Sequence, residues 1–561
     1  MKLTRRDLFT WGGGAAAGLL LTPVPWKLLD DTSIWTQNWP WIPQPARGPV
    51  EVKNSFCALC PNGCGMRVRM CAGCPVGVSG MPKHPVNQGA LCPLGFGAHQ
   101  LNWHPSRLRQ VRHHGRASSW TEALAAFRKA AAAGPIAIID GYPGRAASSL
   151  LQSFGKQHGT YGVRLCAEER ALLPYERWSG VPVTALGYDL ENTGTILSFG
   201  APLLDGWSAP GRFTRLWSER AAGVADPQLR LIQVEPTQSR TAACAWRWVS
   251  ITPGSEAALA AGLARVLKEE HLAKEDAPMP PTSLAEAAAQ SGLSIDAIRE
   301  LAHRMVERGP VLAISAEPSP AVAALNVVLG ALGTRGGIVR RRKAADPYVA
   351  ADTLTGPFAA VLIDSSVPCD FTPPIDAEVL RFAAWGGGAG RADWLLPAPG
   401  FLEELTDIPT APGSSVETYA VAVALSPPPP GVQSAAQFLT QIDPSLLSVE
   451  KVIRERCRER GPEALEKELF NGSVWVGDQP HTGGIPCHLG GQAFWPAAAL
   501  PRGAQALNGP HQTEDAAQKG GCRPEGLPHW TAAWVPPVLP PLATKLYQES
   551  NLRESPARRQ I

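Results

Sequence analysis

At 561 residues the chain is long enough for three or four domains of ordinary size, or two large ones. Hydrophobic residues at 44% exclude wholesale disorder, and 52 Lys and Arg against 49 Asp and Glu leave only +3, which gives no electrostatic case for a nucleic-acid partner. Gly (55) and Pro (54) predict long, stiff loops, and no apolar run reaches the roughly 18–20 residues of a membrane-spanning helix.

The chain opens Met1-Lys2-Leu3-Thr4-Arg5-Arg6-Asp7-Leu8-Phe9 and continues into the small, apolar stretch Gly12–Leu21. A basic region ahead of a short apolar block is the secretory pattern, and the paired arginines fit its twin-arginine form, which carries proteins already folded. Residues 1–33 are therefore expected to be a twin-arginine signal segment and 34–50 a linker, with Trp35–Trp41 as a partner-binding or self-packing stretch. A chance Arg-Arg ahead of a buried helix is the competing reading. No small-residue cleavage site stands between Leu21 and Trp26, so cleavage and retention as an anchor both stay open. The expected location is periplasmic, attached to the cytoplasmic membrane through partners or an uncleaved N-terminus.

Six of the twelve cysteines fall between Cys57 and Cys92. Cys57, Cys60 and Cys64 have C-x2-C-x3-C spacing, so three thiolates can converge from one loop, and Cys92 can close a four-sulfur cage suited to a cubane iron–sulfur cluster. Pro61, Gly63 and Gly65 supply the turns. Met66–Met70 and Val76–Ser79 read as a hairpin with Cys71–Cys74 at its tip. Two alternatives stay open on spacing alone: a zinc site on Cys57, Cys60, Cys71 and Cys74, or paired disulfides.

Further along, a helix over Ala123–Ala133 leads into an apolar run, Pro135–Asp140. The alternation continues with strands at Thr195–Phe199 and Leu231–Val234, helices at Glu256–Glu269 and Ile295–Val306, a strand at Val311–Ser315 and a helix at Ala321–Leu332. Strands at Ala359–Ile363 and Val379–Ala383 follow. Short apolar runs between helices predict buried parallel strands, hence two α/β layers. Ligands sit at the carboxyl ends of such strands, which singles out Phe199-Gly200, Glu235-Pro236 and Asp364-Ser365-Ser366 as places for a nucleotide-like cofactor. Ordinary strand-to-loop turns explain each one equally well.

The ordered set Cys57-x2-Cys60-x3-Cys64, Gly80-Met81-Pro82-Lys83-His84-Pro85-Val86-Asn87, Gly89-Ala90-Leu91-Cys92 and His104-Pro105-Ser106-Arg107-Leu108 resembles the iron–sulfur domain that opens the molybdopterin oxidoreductase (dimethyl-sulfoxide-reductase) superfamily. The resemblance implies one [4Fe-4S] cluster on Cys57, Cys60, Cys64 and Cys92, with Cys71 and Cys74 extra, as a hairpin disulfide or a free pair. It continues through Trp120–Leu124, Asp189–Thr193, Val234–Pro236, Thr252–Ser255, Leu325-Asn326, Gly336-Gly337, Ala392–Pro397 and Glu403, over about residues 51–430. The implied fold is α/β: a small iron–sulfur domain (51–113), then two open parallel-sheet α/β domains (114–440). A divergent, partly disordered tail (441–561) stands where the family's final β-barrel domain is reduced or missing. Gly200, Glu235 and Pro236 would meet molybdopterin guanine dinucleotide if any is bound, and Cys166 lies near the position of the family's molybdenum ligand.

Two departures bear on function. Active members usually carry Lys or Arg two residues after the fourth cysteine, and here that residue is Leu94, without charge or hydrogen bond. After about Leu447 the chain offers a charged helix (Val452–Phe470) and then a Gly/Pro/His-rich stretch. Leu542–Arg553 and Phe401–Gly413 resemble the molybdopterin-like subunits of quinone-linked membrane complexes, namely the menaquinone reductase complex and alternative complex III. The resemblance implies an exported electron-transfer subunit without molybdenum. Its expected partners are a ferredoxin-like iron–sulfur subunit, a multihaem cytochrome c and a quinone-binding membrane subunit. The alternatives are a working bis-pterin molybdenum or tungsten oxidoreductase on a sulfur or arsenic oxyanion, with Cys166 as ligand, and a zinc-stabilised binding module without redox chemistry.

Overall fold

A computed structural model of the chain describes residues 4–21, 48–207, 210–223, 226–275, 277, 281–341, 349–366, 377–386 and 391–477. The Trp35–Trp41 linker, the Gly483–Gly521 stretch and the Leu542–Arg553 signature lie outside the described residues. At the N-terminus, a helix over Arg5–Leu21 starts at Thr4, whose amide and hydroxyl both donate to the Asp7 carboxylate at 2.9 and 2.6 Å. Among the described residues no helix is long and apolar enough to cross a membrane.

The cysteine-rich region folds on a three-stranded antiparallel sheet of β1 (Val50–Phe56), β2 (Gly65–Cys71) and β3 (Cys74–Gly80). Strand alternation puts Met66, Val68 and Met70 inward while Arg67 and Arg69 face water. The inward face packs on Leu91, Ala98, Leu101, Trp385 and Phe401, so the small domain shares its core with the large one.

Two parallel sheets follow, one nested in the sequence of the other. Short strands β4 (Arg112–His113) and β5 (Arg116–Ala117), then β6 (Ile136–Asp140) and β7 (Gly159–Val163), begin the outer sheet. After β8 (Leu186–Tyr188) the chain builds a four-stranded parallel sheet from β9 (Thr195–Phe199), β10 (Arg230–Val234), β11 (Arg247–Val249) and β12 (Val311–Ser315), in the order β11-β10-β9-β12. It passes β13 (Ile338–Arg340), which pairs β8, and returns to the outer sheet with β14 (Ala360–Ser365), β15 (Glu378–Ala383) and β16 (Trp394–Pro397). The completed seven-stranded order is β5-β4-β16-β15-β14-β6-β7, parallel from β16 to β7 with an antiparallel edge. Alternation along β6 and β14 sends Ile136, Ile138 and Leu362 to one face, against Phe127, Phe154 and Phe438, and Ala137, Ile139, Val361 and Ile363 to the other. Burial on both faces is why these strands read as continuous apolar runs.

The expected α/β architecture with an iron–sulfur domain in front is therefore present. One layer escaped the sequence reading: an antiparallel sheet of β17 (Thr406–Ile408), β18 (Thr418–Ala422) and β19 (Val474–Val476). The single charged helix expected over Val452–Phe470 is two helices, Val449–Arg460 and Glu463–Phe470. They break at Gly461-Pro462, where proline bars the helical conformation of its predecessor.

Candidate iron–sulfur centre and adjoining cavity

β1 delivers Cys57 to the cage, and the loop back to β2 is closed by the Cys57 amide donating to the Cys64 carbonyl at 2.8 Å. Gly63 takes φ +57°, and a Cβ there would lie 2.1 Å from Ile408 Cγ2, so only glycine makes this turn. Cys92 caps the short helix Pro93–Gly97, and its Sγ accepts the Gly95 amide at 3.4 Å. Cys60 Sγ accepts from Asn62 Nδ2 at 3.2 Å. Such N–H···S bonds to the thiolate form are the usual way a protein tunes a cluster.

Asn87 ties the two halves of the cage together. Its Oδ1 accepts the Gly65 amide at 3.0 Å, and its Nδ2 donates to the Gly65 and Ala90 carbonyls at 3.1 and 2.7 Å. His84 turns that loop by accepting the Val86 and Asn87 amides on Nδ1. Burial pulls its pKa down to about 4, so it works as a neutral acceptor. Gly65 lies so close to the His84 ring that a Cβ would sit 2.6 Å from it, and one on Gly80 would sit 2.0 Å from the Gly89 carbonyl oxygen. The Arg107–Glu403 ion pair, buried on both sides, pins the end of the small domain to the large one. Arg107 also donates to the Ala384 and Ala398 carbonyls at 2.7 and 3.0 Å. The motif residues around the cysteines thus have a mechanical reason to be there.

Burial is the main cause that raises the thiols, Cys60 to about 12 and Cys57 and Cys64 well above their usual value, and the other cage sulfurs add to it. Burial raises Cys92 as well, while amides around it, those of Gly95 and Leu94 included, work the other way. Each cage thiol stands in the field of its neighbours, and buried sulfurs in that arrangement suit iron, which supplies the missing positive charge. Cys57, Cys60, Cys64 and Cys92 therefore fit a [4Fe-4S] cluster, for which they would be the four ligands. Among the described residues no three His, Cys, Asp or Glu side chains converge closely enough to grip one metal ion. A cubane sets its sulfurs at the corners of a wider cage.

The zinc alternative fails on register. β1 and β2 pair Phe56 with Gly65 at one end and Val50 with Cys71 at the other. Cys71 and Cys74 therefore sit seven residues along the ladder from Cys57, about 23 Å at ~3.3 Å per residue. A zinc ion on Cys57, Cys60, Cys71 and Cys74 would need all four within ~2.3 Å of it.

Next to the cluster loop lies a cavity of about 580 Å³, lined among others by Pro61, Tyr142, Cys166, Glu169, Arg341 and Arg456. Cys166 does line it. The residue precedes the helix Ala167–Ser179 and its Sγ donates to Glu169 Oε2 at 3.3 Å. Burial, then the carboxyl groups of Glu168 and Glu169, push its thiol well up. Burial lifts Glu168 itself to about 8. The cavity's size suits one small organic molecule and falls short of two pterin dinucleotides.

The strand ends expected to hold a nucleotide are largely spoken for. Asp140 and Asp364 lie side by side in register on β6 and β14, and Arg145 lies between them, 3.6 and 2.8 Å from their carboxylates. Arg145 also meets Ser366 Oγ at 3.2 Å, and Ser365 Oγ accepts from Arg381 at 3.1 Å. Gly200, Glu235 and Pro236 lie just past the ends of β9 and β10 and do not line the cavity. Gly200 takes φ +68°, as expected of a strand-end turn. Glu235 is fully buried, its two oxygens taken by Gln233 Nε2 and the Ser239 amide at 2.8 Å each. The Glu235 side chain holds its own loop. Among the described residues, those lining this pocket do not fit a bis-pterin dinucleotide.

Arg145 was missed by the sequence reading. The signal was there: two strands each ending in aspartate, which parallel pairing brings together, need a cation between them.

Residues 50–101 match the molybdopterin oxidoreductase Fe4S4 domain family. The chain is 32% identical over 366 residues to the menaquinone reductase, molybdopterin-binding-like subunit of Nitratidesulfovibrio vulgaris, covering 60% of this chain and 52% of that one. It is 26% identical over 237 residues to a nitrate reductase of Klebsiella oxytoca, covering 39% and 26%. The chain thus spans about half or less of the length of these curated relatives. Acetylene hydratase from Pelobacter acetylenicus shares the fold, with a TM-score of 0.57 over 76% of this chain and 74% of that one, at 12% identity.

Proposed function

Because the chain belongs to the molybdopterin oxidoreductase superfamily, we propose that it is the iron–sulfur electron-transfer subunit of a quinone-linked respiratory complex and works without molybdenum. The observation that carries this reading is the contrast between two neighbouring places. The four-cysteine cage is held by hydrogen bonds from Asn62, Asn87 and the Gly95 amide, while at the strand ends Arg145 pairs with Asp140 and Asp364, and in a separate cavity the Cys166 thiol donates to Glu169. Leu94, where active relatives carry a cation, and the likeness to a menaquinone reductase subunit support the same reading.

When bound, the cluster would supply one-electron transfer. The chain's own residues set its surroundings: Asn62 and the Gly95 amide donate to sulfur, and the sheet and Trp385 shield it from water. Cys92 is the most exposed of the four cysteines, on a helix flanked by Phe96 and Trp103 at 49% and 58% exposure. Residues 51–116 carry eight Lys and Arg against one Glu, +7 in a chain whose total is +3. A basic domain with exposed aromatics beside its most exposed sulfur suits exchange with an acidic redox protein. A ferredoxin-like iron–sulfur subunit or a multihaem cytochrome c, on a quinone-binding membrane subunit, would fill that role. Export by the twin-arginine route, which the Arg5-Arg6 segment supports, would place the complex on the periplasmic face.

A potentiometric titration followed by electron paramagnetic resonance tests the reading. One single-electron signal of a [4Fe-4S] cluster, abolished in Cys92→Ser and unaccompanied by a molybdenum(V) signal, is expected. The second reading, a bis-pterin molybdenum or tungsten oxidoreductase acting on a sulfur or arsenic oxyanion, is favoured by one observation, the cavity reaching Cys166. A molybdenum(V) signal that changes in Cys166→Ala would establish it instead.

A further inference from the structure

We propose that Cys71 and Cys74 form a reversible dithiol–disulfide redox site at the tip of the β2–β3 hairpin, separate from the cluster. The two residues are the closing pair of the ladder, joined by the two-residue turn Ala72-Gly73. Both turn residues take positive φ, +49° and +78°, the conformation of the tight hairpin turn that matches strand twist. Residues facing each other as such a closing pair stand about 5.5 Å apart at Cα, inside the ~4.4–6.8 Å that a disulfide spans.

The backbone closes this end of the hairpin weakly. The register shifts between Arg69 and Met70, one pair from the turn. Ala72 lacks glycine's freedom at its positive φ. A covalent link between residues 71 and 74 would clamp that turn.

The two thiols differ as an exchanging pair should. Cys74 is exposed, while Cys71 is 9% exposed with its Sγ 3.7 Å from the Gly48 carbonyl. The Cys74 thiolate attacks one sulfur of an external disulfide, breaking that bond and releasing one thiolate of the oxidant. The Cys71 thiolate then attacks the Cys74 sulfur of the mixed disulfide and releases the second. The hairpin loses two protons and two electrons, and the oxidant, a protein or small-molecule disulfide, leaves as two thiols. Reduction by a dithiol reverses both steps. The ladder places this pair seven residues, about 23 Å at ~3.3 Å per residue, from Cys57, so the chemistry proceeds without touching the cage.

Trypsin makes the test direct, because the peptide Met70–Lys83 contains Cys71 and Cys74 and no other cysteine. The full-length, cluster-loaded chain is equilibrated anaerobically in glutathione buffers of rising oxidised fraction, quenched in acid, alkylated and digested, with iron measured on the same samples. The peptide is expected to pass from doubly alkylated to unalkylated and two hydrogens lighter, and back on adding reductant, while iron stays constant. In Cys71→Ser, Cys74 should instead accumulate a stable glutathione adduct. A peptide that stays doubly alkylated throughout, or a native chain that stops at the glutathione adduct, overturns the proposal. Loss of iron in step with peptide oxidation would also overturn it, since the pair would then belong to the metal centre. The peptide assay is independent of whether the chain serves a quinone-linked complex.

Discussion

Asn87 holds the cage by three hydrogen bonds to backbone groups of Gly65 and Ala90. Asn87→Ala removes the acceptor of the buried Gly65 amide, at ~1–3 kcal/mol for an unpaired buried group, and one donor from the Gly65 carbonyl, which still receives the Met81 amide at 2.9 Å. The expected outcome is a folded chain that binds fewer than its full complement of irons and loses them faster to a chelator. Arg145 is a sterner case. Arg145→Met strands Asp140 and Asp364 together, which should cost about 3–5 kcal/mol in a denaturant titration. Adding Asp140→Asn and Asp364→Asn should restore much of it. Glu168 sets a pH dependence. Its carboxyl, lifted to about 8 by burial, keeps its proton in the folded chain after the unfolded chain has lost it, at about 4.5. Folding stability from this group therefore falls as pH rises from about 4.5 to 8. Glu168→Gln should flatten the fall in melting temperature between pH 6 and 8.5, and an unchanged slope would show that Glu168 does not carry it. Cys57, Cys60, Cys64 and Cys92, the residues that would hold a cluster, stand out in the sequence by spacing and neighbouring motif. Asn87 and Glu403 were visible only as members of a pattern, because their roles depend on backbone groups brought near by folding.

Among elements, strongly periodic segments were the legible ones. The helices Glu256–Glu269 and Ile295–Val306 and the strands Thr195–Phe199 and Val311–Ser315 fall where periodicity places them. Each is bounded by a turn or cap, Ser294 before Ile295 among them. The helix Ala167–Ser179 was not seen, because Pro174 interrupts it and its first turn begins with two glutamates that become buried. β17 to β19 escaped for another reason: three short strands from residues 406, 418 and 474 become a sheet only through long-range pairing. The β2–β3 hairpin was legible but its role was not, since the ladder separation that removes Cys71 and Cys74 from the cage depends on β1 pairing in one register. Gly80→Ala forces a Cβ to 2.0 Å from the Gly89 carbonyl oxygen, backbone against backbone. It should disrupt the loop that carries Cys92 and prevent cluster assembly, whereas Gly77→Ala, with open space around it, should retain full iron.

Over the whole molecule, the cluster domain holds nearly all the asymmetry of charge. With +7 on residues 51–116 and a net −4 on the remainder, electron exchange with an acidic carrier should slow as salt rises, because charge steering is screened within ~10 Å at 0.1 M. Stopped-flow reduction by an acidic ferredoxin should show this, and Arg67→Glu with Arg69→Glu should weaken the salt dependence while leaving iron content intact. A rate indifferent to both would place the exchange elsewhere. The nesting of one sheet inside the other, by contrast, was illegible from periodicity, which finds strands without saying which of them are neighbours.

Under the proposed function the chain holds one iron–sulfur cluster and no molybdenum. Iron, molybdenum, tungsten and zinc content of the full-length chain, purified without oxygen from a host able to export folded proteins, tests it most directly. About four irons per chain, with molybdenum and tungsten both near zero, is the predicted result. Iron together with one molybdenum or tungsten per chain would contradict it and make Cys166 the ligand of a catalytic centre.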